Sequence, residues 1–268
     1  MGANRKTRKN RAAGRALGIL LLLATSCMKE QPPELPPLGT LQSDLSALEA
    51  APSEAKNADP AGVGPYTNFA NAWVRVAVLR LYAGGVLLLP TLGMALALSQ
   101  EPVLHGHTWV WTVTVGNTTG ELELSGGSVA GWDVAFLVTN VAQNLDRFVW
   151  IEGHFAGDLS TGYWLGHAAD LPAGADEVLE ISWRYASDTD KTLEFSNVNA
   201  QSPDLGDVLS YTVLGSSATL VFEDASAPSS TAVTTIDTVT GAGAIQVPLY
   251  NGGQRACWDD AFLNTTCP

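Results

Sequence analysis

The sequence has few basic residues, and this shortage limits the partners it can have. Of its 268 residues, 14 are Lys or Arg and 27 are Asp or Glu. Six of the basic residues fall within residues 1–15, so the rest of the chain is strongly acidic. Proteins that bind nucleic acid neutralise phosphates with clustered Lys and Arg. The composition therefore argues against nucleic acid as a partner.

The chain also lacks the short motifs that mark common catalytic and metal sites. The nearest stretch to a G-x-S-x-G nucleophile motif is GGSVAG, which has the wrong glycine spacing. Asp259, Asp260 and Asn264 do not alternate as the ligands of a calcium loop do. A pair of carboxylates across a cleft, as glycosidases use, has no sequence signature and stays open. We expect a non-catalytic protein without a metal or cofactor.

Four histidines are candidates for metal ligation. His105 and His107 flank one glycine, which puts both imidazoles on one side of an extended segment. His154 or His167 would supply a third ligand if the strands align. The pair falls where a predicted helix gives way to a strand, a place that polar residues occupy anyway. We therefore interpret these residues as loop histidines.

What the sequence does have, first, is an N-terminal export signal. A basic segment precedes the apolar run ALGILLLLA, residues 16–24, which is too short to span a bilayer. The run ends in LLATSC, which resembles the lipobox of bacterial lipoproteins. That resemblance implies that residues 1–26 are a signal peptide and that Cys27 is acylated after cleavage. An ordinary cleaved signal and an uncleaved anchor are the alternatives.

Charge and lipid then define the expected location. Without residues 1–26 the chain carries 8 basic and 27 acidic residues, a net charge of −19. Such a surface is repelled by anionic lipid, so the acyl chains on Cys27 have to hold the protein on the lipid bilayer, at about 0.8 kcal/mol per buried methylene. Met28 stands where an aspartate retains many lipoproteins in the inner membrane. The resemblance thus implies the outer membrane of a Gram-negative cell envelope.

Two segments lead into the predicted domain. Residues 27–65 are rich in Pro, Ala, Ser and acids and lack aromatic residues from position 28 onward, which predicts a disordered tether. Residues 81–98 carry no charge, but Gly84, Gly85 and Pro90 interrupt them. We predict two short apolar helices, near 67–83 and 86–99, packed on or in the domain 66–268. A membrane-inserted segment at 81–98 is the alternative.

The remainder of the chain has the period of β-strands. TWVWTVTV puts Trp109 and Trp111 on one face, and EVLEISWRY puts Leu179, Ile181 and Trp183 on one face. Some ten turn signals separate such runs, which predicts about 10–11 strands over residues 108–250. The fold class is mainly β, with a large curled antiparallel sheet or a half-open β-barrel.

Several landmarks of this part resemble a known group. LSQEP leading into TWVWTVTV, GYW at 162–164 and the closing CWD with a second cysteine are similar to a group of uncharacterised, β-rich envelope lipoproteins of Gram-negative bacteria. The resemblance covers roughly residues 66–268. It implies an envelope lipoprotein with a curled antiparallel sheet, and it assigns no activity and no catalytic residues.

The cysteines and tryptophans supply the remaining predictions. With Cys27 on lipid, Cys257 and Cys267 are left in an oxidising compartment, which favours a disulfide over a metal site. Five tryptophans lie in predicted strands, where they either fill the core or line a pocket for an apolar ligand. These are Trp109, Trp111, Trp150, Trp164 and Trp183. We expect a membrane-anchored binding or carrier module. The alternative is a structural or interaction protein whose own helices fill the sheet.

Overall fold

The architecture is described from a computed structural model. The structure describes Pro32, residues 46–172 and residues 174–268, without the side chains of residues 78–92 and Pro228. The predicted signal peptide, Cys27 and most of the first half of the predicted tether lie outside the described residues. The described residues from Ser46 to Pro268 belong to one compact unit.

Within the described residues, three α-helices precede fourteen strands. The helices are α1 (Ser46–Glu49), α2 (Ser53–Lys56) and α3 (Thr67–Leu98). The strands are β1 (Val103–His105), β2 (Thr108–Val115), β3 (Thr118–Gly127), β4 (Gly131–Asn140), β5 (Leu145–Phe155), β6 (Thr161–His167), β7 (Glu177–Ser187), β8 (Asp190–Asn197), β9 (Val208–Leu214), β10 (Ser217–Glu223), β11 (Ala232–Asp237), β12 (Gly243–Gln246), β13 (Ala256–Trp258) and β14 (Asn264–Thr265).

All fourteen strands belong to one antiparallel sheet in which each strand pairs with the next in sequence. The mainly β class is therefore confirmed. Strands β1 and β14 end the order, and in the described part of the chain they do not pair with each other. The sheet is therefore open and does not close into a barrel. These edge strands have only three and two residues, too few for a ladder that would close a ring.

The strand count agrees with the prediction over its stated range. Residues 108–250 contain β2 to β12, which are eleven strands. Short strands outside that range, β1, β13 and β14, raise the total to fourteen. Their few residues are too short to show a period of two, so pattern analysis does not find them.

Alternation along each strand separates two faces of the sheet. In β7, Leu179, Ile181 and Trp183 are buried, whereas Arg184, the residue that follows Trp183, is exposed. In β2, Trp109 and Trp111 are buried. The faces predicted for both strands are confirmed. We call the face of these buried residues the inner face and the opposite one the outer face.

Helix α3 differs from the two short helices that were predicted. It runs without a break from Thr67 to Leu98, through Gly84, Gly85 and Pro90. A proline inside a helix costs about 3 kcal/mol and a glycine about 1 kcal/mol. These costs are local, and helix propagation adds one hydrogen bond for each further residue. The prediction that these residues divide the segment into two helices is therefore wrong.

The helix lies against the sheet near both of its edges. Phe69, in its first turn, packs edge-on against Trp258 of β13, with ring centroids 5.9 Å apart. Gly93, near its other end, lies so close to Phe136 of β4 that a Cβ there would stand 2.8 Å from the ring. Among the described residues, no helix is both long enough and apolar enough to cross a membrane. Most of the segment 81–98 has side chains that lie outside the description.

The described part of the predicted tether contains packed residues. Helices α1 and α2 fall within residues 27–65, and Leu48 and Ala55 in them are fully buried. The backbone carbonyl of Ala47 lies beside Gly241, in the turn between β11 and β12. The packed domain therefore extends N-terminally past residue 66, at least to α1.

Candidate functional site

Four of the five candidate tryptophans are part of the core. Trp109, Trp111, Trp164 and Trp183 each keep at most 8% of their surface exposed. Trp164 and Trp183 stack on neighbouring strands, with ring centroids 6.2 Å apart and an interplanar angle of 27°. Aromatic pairs of this kind contribute roughly 0.5–1.5 kcal/mol beyond the area they bury. These rings stabilise the inner face.

Trp150 occupies a different position. The ladder between β4 and β5 pairs Phe136 with Ile151 and Leu137 with Val149, so Trp150 is the extra residue of a β-bulge. Its ring stacks on Phe136 at 6.3 Å between centroids. The side chain is only partly buried. The bulge gives Trp150 a direction that strand alternation does not predict.

A cleft opens where β5, β6 and β7 meet the turn between β3 and β4. Its volume is about 440 Å³, within the range of small-molecule sites. The lining consists of small residues, a few polar side chains and two aromatic residues. They are Val129, Ala130, Gly131, His154, Ala156, Gly157, Thr161, Gly162, Tyr163, Glu180, Ser182 and Trp183. Of the five candidate tryptophans, Trp183 is the one that borders this cleft.

Glycines shape this cleft because their neighbours leave no room for a side chain. A Cβ on Gly131, whose φ is +89°, would lie 2.6 Å from Nε2 of His154. A Cβ on Gly157 would lie 2.0 Å from the carbonyl oxygen of Ser128, and one on Gly162 would lie 2.3 Å from the Trp183 ring. Contacts this short are not tolerated by real side chains. The turns on either side of the cleft therefore approach each other at backbone distance.

Three polar side chains of the cleft, those of His154, Tyr163 and Ser182, come from one row across the outer face. Register pairs Asp133 with His154, His154 with Tyr163 and Tyr163 with Ser182, on the four successive strands β4 to β7. Directly opposite residues of antiparallel strands have Cβ atoms about 5 Å apart. Glu180, two residues before Ser182 in β7, adds a carboxylate beside the row. Strand register thus assembles a polar surface next to a glycine-lined depression.

Three interactions fix the imidazole and the walls of this site. Nδ1 of His154 and Oδ1 of Asp133 are 2.7 Å apart, which orients the ring. In the turn between β5 and β6, Oδ1 of Asp158 accepts hydrogen bonds from the hydroxyl and the backbone N–H of Ser160, at 2.6 and 3.0 Å. These bonds lower the pKa of Asp158. The indole N–H of Trp183 donates to the carbonyl of Leu159 in the same turn, at 3.3 Å.

The structure does not bring the four histidines together. His105 and His107 are exposed at the turn between β1 and β2, and His154 bonds to Asp133. His167 is partly buried, with its side chain 9% exposed, Nδ1 3.3 Å from Asp176 and Nε2 3.7 Å from Glu152. Among the described residues, no group of three or more potential ligands is arranged to hold a metal ion.

The carboxylate beside His167 has an altered acidity. Burial raises the pKa of Asp176, but backbone hydrogen bonds from its own N–H and from Gly174, together with the nearby His167, lower it by more. The net pKa of Asp176 is below its usual value. This cluster joins β6 to the loop before β7 and lies away from the cleft lining.

The predicted disulfide between the two C-terminal cysteines is confirmed. The sulfur atoms of Cys257 and Cys267 are at disulfide distance, 2.07 Å. We call the segment 257–267 the clasp. Trp258 within it is buried, and its indole N–H donates to the carbonyl of Gly241 at 2.8 Å. Asp259, considered above as a calcium ligand, instead accepts hydrogen bonds from the N–H groups of Ala261 and Leu263.

The clasp is bonded to the start of helix α3. The side-chain amide of Asn68 donates to the carbonyl of Cys257 at 2.7 Å, and its backbone N–H donates to Oδ1 of Asn264 at 3.0 Å. The side chain of Asn264 in turn donates to the carbonyl of Gly64 at 2.7 Å. Tyr250 donates its hydroxyl to Oδ1 of Asn68 at 2.5 Å. The two ends of the domain are therefore joined at this point.

Sequence reasoning missed the cleft because its residues carry no common motif. Tyr163 and Ser182 are 19 positions apart and become neighbours only through register. The one local signal is the set of glycines at 131, 157 and 162 beside turn residues, which indicates close backbone approach. What the assembled groups offer is hydrogen bonding and an aromatic surface.

No protein-family model, no curated protein and no solved structure matches this chain.

Proposed function

We propose that the protein is a non-catalytic binding module of the cell envelope, anchored through acylated Cys27, and that it binds its ligand in the cleft at the ends of β5 to β7. The cleft carries this proposal, because it combines a volume of about 440 Å³ with converging polar side chains and a rim of glycines. The lipobox-like LLATSC supports the anchor.

The nature of the cleft favours a polar ligand over the apolar one expected from the tryptophan content. An apolar ligand among the tryptophans would have to separate rings such as Trp164 and Trp183, which already stack on each other. Opening a packed core costs its contacts and leaves cavities, at about 2–5 kcal/mol for each large side chain. The outer-face cleft requires no such opening.

The geometry around His154 supports a binding role over a catalytic one. Asp133 orients the ring as in a nucleophile-activating pair. Its Nε2, however, faces the backbone of Gly131, where a Cβ would lie 2.6 Å away. Such a pair activates a nucleophile only when the free nitrogen reaches a hydroxyl, a thiol or a water molecule. Here the pair acts as a fixed polar wall.

The test is co-purification of a ligand with the full chain isolated from cells. Native mass spectrometry of wild type is expected to show a bound non-protein mass, which Ser182→Trp removes by filling the cleft. Ser210→Trp is the matched control, because Ser210 lies in the same row two strands away and outside the lining. A bound mass that survives Ser182→Trp, or wild type that carries none, would contradict the cleft as binding site. Solvent extraction of the bound mass distinguishes an apolar ligand from a polar one.

A second candidate is a structural or interaction protein in which α3 fills the sheet. Phe69, Val76 and Met94 of α3 belong to the same buried cluster as the four core tryptophans. This favours a domain without internal space for cargo. Cross-linking of the full chain in intact cells, followed by identification of joined proteins, tests it. Ligand-free protein that cross-links to a defined protein partner would favour this candidate.

A further inference from the structure

We infer that the cleft is a site for a neutral saccharide, a hydroxyl-rich ring that lies against Tyr163. This inference rests on the proposed function and specifies its ligand. Three features carry it: an exposed aromatic ring, neighbouring groups that match hydroxyls, and the absence of Lys and Arg from the described lining.

The aromatic feature is Tyr163. Large aromatic side chains usually bury their rings, yet Tyr163 is 43% exposed in the middle of a strand. It belongs to the outer face, whereas Trp164 beside it is buried on the inner face. The face of an aromatic ring is electron-rich and attracts the weakly positive C–H groups on one side of a sugar ring. Tyr163 therefore offers a platform for a ring that has both C–H and hydroxyl edges.

The hydrogen-bonding feature is the set of polar groups around that platform. Tyr163 pairs with Ser182 on one side and with His154 on the other. The hydroxyls of Thr161 and Ser182 both donate and accept, and the carboxylate of Glu180 accepts two or more bonds. A sugar hydroxyl also donates and accepts, so it satisfies both kinds of group. A purely apolar ligand would leave them unpaired, at roughly 1–3 kcal/mol for each buried group.

Charge then excludes acidic ligands. Among the residues that the structure describes, the cleft lining contains Glu180 and neither Lys nor Arg. Arg184, the basic residue on the same face of β7, is engaged by Asp190, with Nη2 and Oδ1 2.7 Å apart. A phosphate or a uronic acid would meet a carboxylate with no available cation in the lining. A neutral saccharide has no charge for the Glu180 carboxylate to repel.

Saturation-transfer NMR on the full chain tests this inference, with cellobiose and N,N′-diacetylchitobiose as neutral probes. We expect saturation of sugar C–H protons in wild type. Tyr163→Ala is expected to weaken binding roughly tenfold and Tyr163→Phe less than about threefold, because phenylalanine keeps the ring. Glu180→Gln is expected to weaken binding roughly tenfold through loss of a charged acceptor. Glu194→Gln, on the neighbouring strand and outside the lining, is the matched control and should bind as wild type does.

Several outcomes overturn the inference. No binding of either neutral probe does so, and so does binding that is equal in wild type and Tyr163→Ala. Stronger binding of spermidine or glucuronate than of the neutral sugars would reassign the cleft to a cationic or an acidic ligand. If a native mass adduct depends on Ser182 while both sugars fail, the binding function stands and the saccharide class is wrong. If adduct and sugars both fail, the cleft is not a binding site.

Discussion

Phe136 has a glycine on each side of its ring. A Cβ on Gly93 of α3 would lie 2.8 Å from the ring, and a Cβ on Gly120 of β3 would lie 2.9 Å from it. The ring also stacks on Trp150, and Phe136 is 2% exposed. The helix therefore approaches the sheet at van der Waals distance through one aromatic side chain. The absence of a side chain at Gly93 sets that distance.

Because of this contact, we expect Gly93→Ala to lower the free energy of unfolding. Alanine normally stabilises a helix interior by about 1 kcal/mol relative to glycine. Overpacking a filled core costs about 1–3 kcal/mol, so we expect the free energy of unfolding to fall by about 1 kcal/mol. Chemical denaturation measures the change.

Two further variants make that prediction specific. Gly64→Ala is a control, because its Cβ would meet nothing nearer than 3.7 Å. Combining Gly93→Ala with Phe136→Leu should relieve the clash, so the two effects should not add. Gly93→Ala that is more stable than wild type would show that the Phe136 ring moves aside without cost.

The turn aspartates predict how stability depends on pH. The hydroxyl of Ser160 lowers the pKa of Asp158, that of Ser226 lowers the pKa of Asp224, and the N–H groups of Thr240 and Val239 lower the pKa of Asp237. Because each pKa is lower in the folded state, these carboxylates stabilise the fold above their ordinary pKa. The contribution is lost as the pH falls through the lower folded pKa.

Asp237→Asn should therefore flatten the acid side of the stability profile. Asparagine keeps an oxygen that accepts the hydrogen bonds of the turn, but it does not titrate. We expect the midpoint of urea unfolding to change less between about pH 5 and pH 2 than in wild type. Asp260→Asn, at an exposed position in the clasp, is the control. An unchanged slope for Asp237→Asn would count against the role of this turn.

At the scale of elements, the clasp determines whether the start of α3 stays in place. The clasp closes about ten residues, which corresponds to about 2.5–3 kcal/mol of unfolded-chain entropy in the loop-closure model. We expect the double variant Cys257→Ser, Cys267→Ser to melt several degrees lower than wild type while keeping the sheet.

Hydrogen exchange locates the effect of opening the clasp. The backbone N–H of Asn68 donates to the clasp, and the N–H of Asn264 donates to the carbonyl of Pro65. Both amides should lose protection in the double variant, and the amides of β7 should not. Loss of protection that stays within residues 257–267 would show that the helix start is held by other contacts, such as Phe69 on Phe262.

The elements also show which parts of the structure the sequence predicts. β7 was predictable because Leu179, Ile181 and Trp183 alternate with polar residues, and alternation is local. The continuity of α3 was not, because Pro90 is a local stop signal that a long helix accommodates. β14 depends on the disulfide and on Asn264 bonding to the helix start, which are contacts between distant residues. The cleft likewise depends on register, since a shift of one residue would move Tyr163 to the inner face.

At the scale of the whole molecule, the anchor is the decisive prediction. Cys27→Ser should abolish acylation, so the chain should leave the membrane fraction and fail to incorporate a palmitate analogue. If residues 1–26 are removed as predicted, the remaining chain carries a net charge of −19, which gives it no affinity for anionic lipid. Fractionation and metabolic labelling measure both effects. A variant that stays membrane-bound without the palmitate label would assign the anchoring to an uncleaved N-terminal segment or to residues 81–98, and deletion of residues 1–26 would separate the two.

The bonds between Asn68 and the clasp have a consequence for how the chain folds. Neighbouring strands pair in sequence order, so most of the sheet is built from hairpins of low contact order. The bonds of Asn68 to Asn264 and Cys257 instead span 196 and 189 positions. During synthesis, nearly the whole chain must be made before the clasp residues that bond to the start of α3 are present. We therefore expect a nascent chain that lacks its last dozen residues to form hairpins early and to reach a cooperative, protease-resistant state only when the final residues arrive.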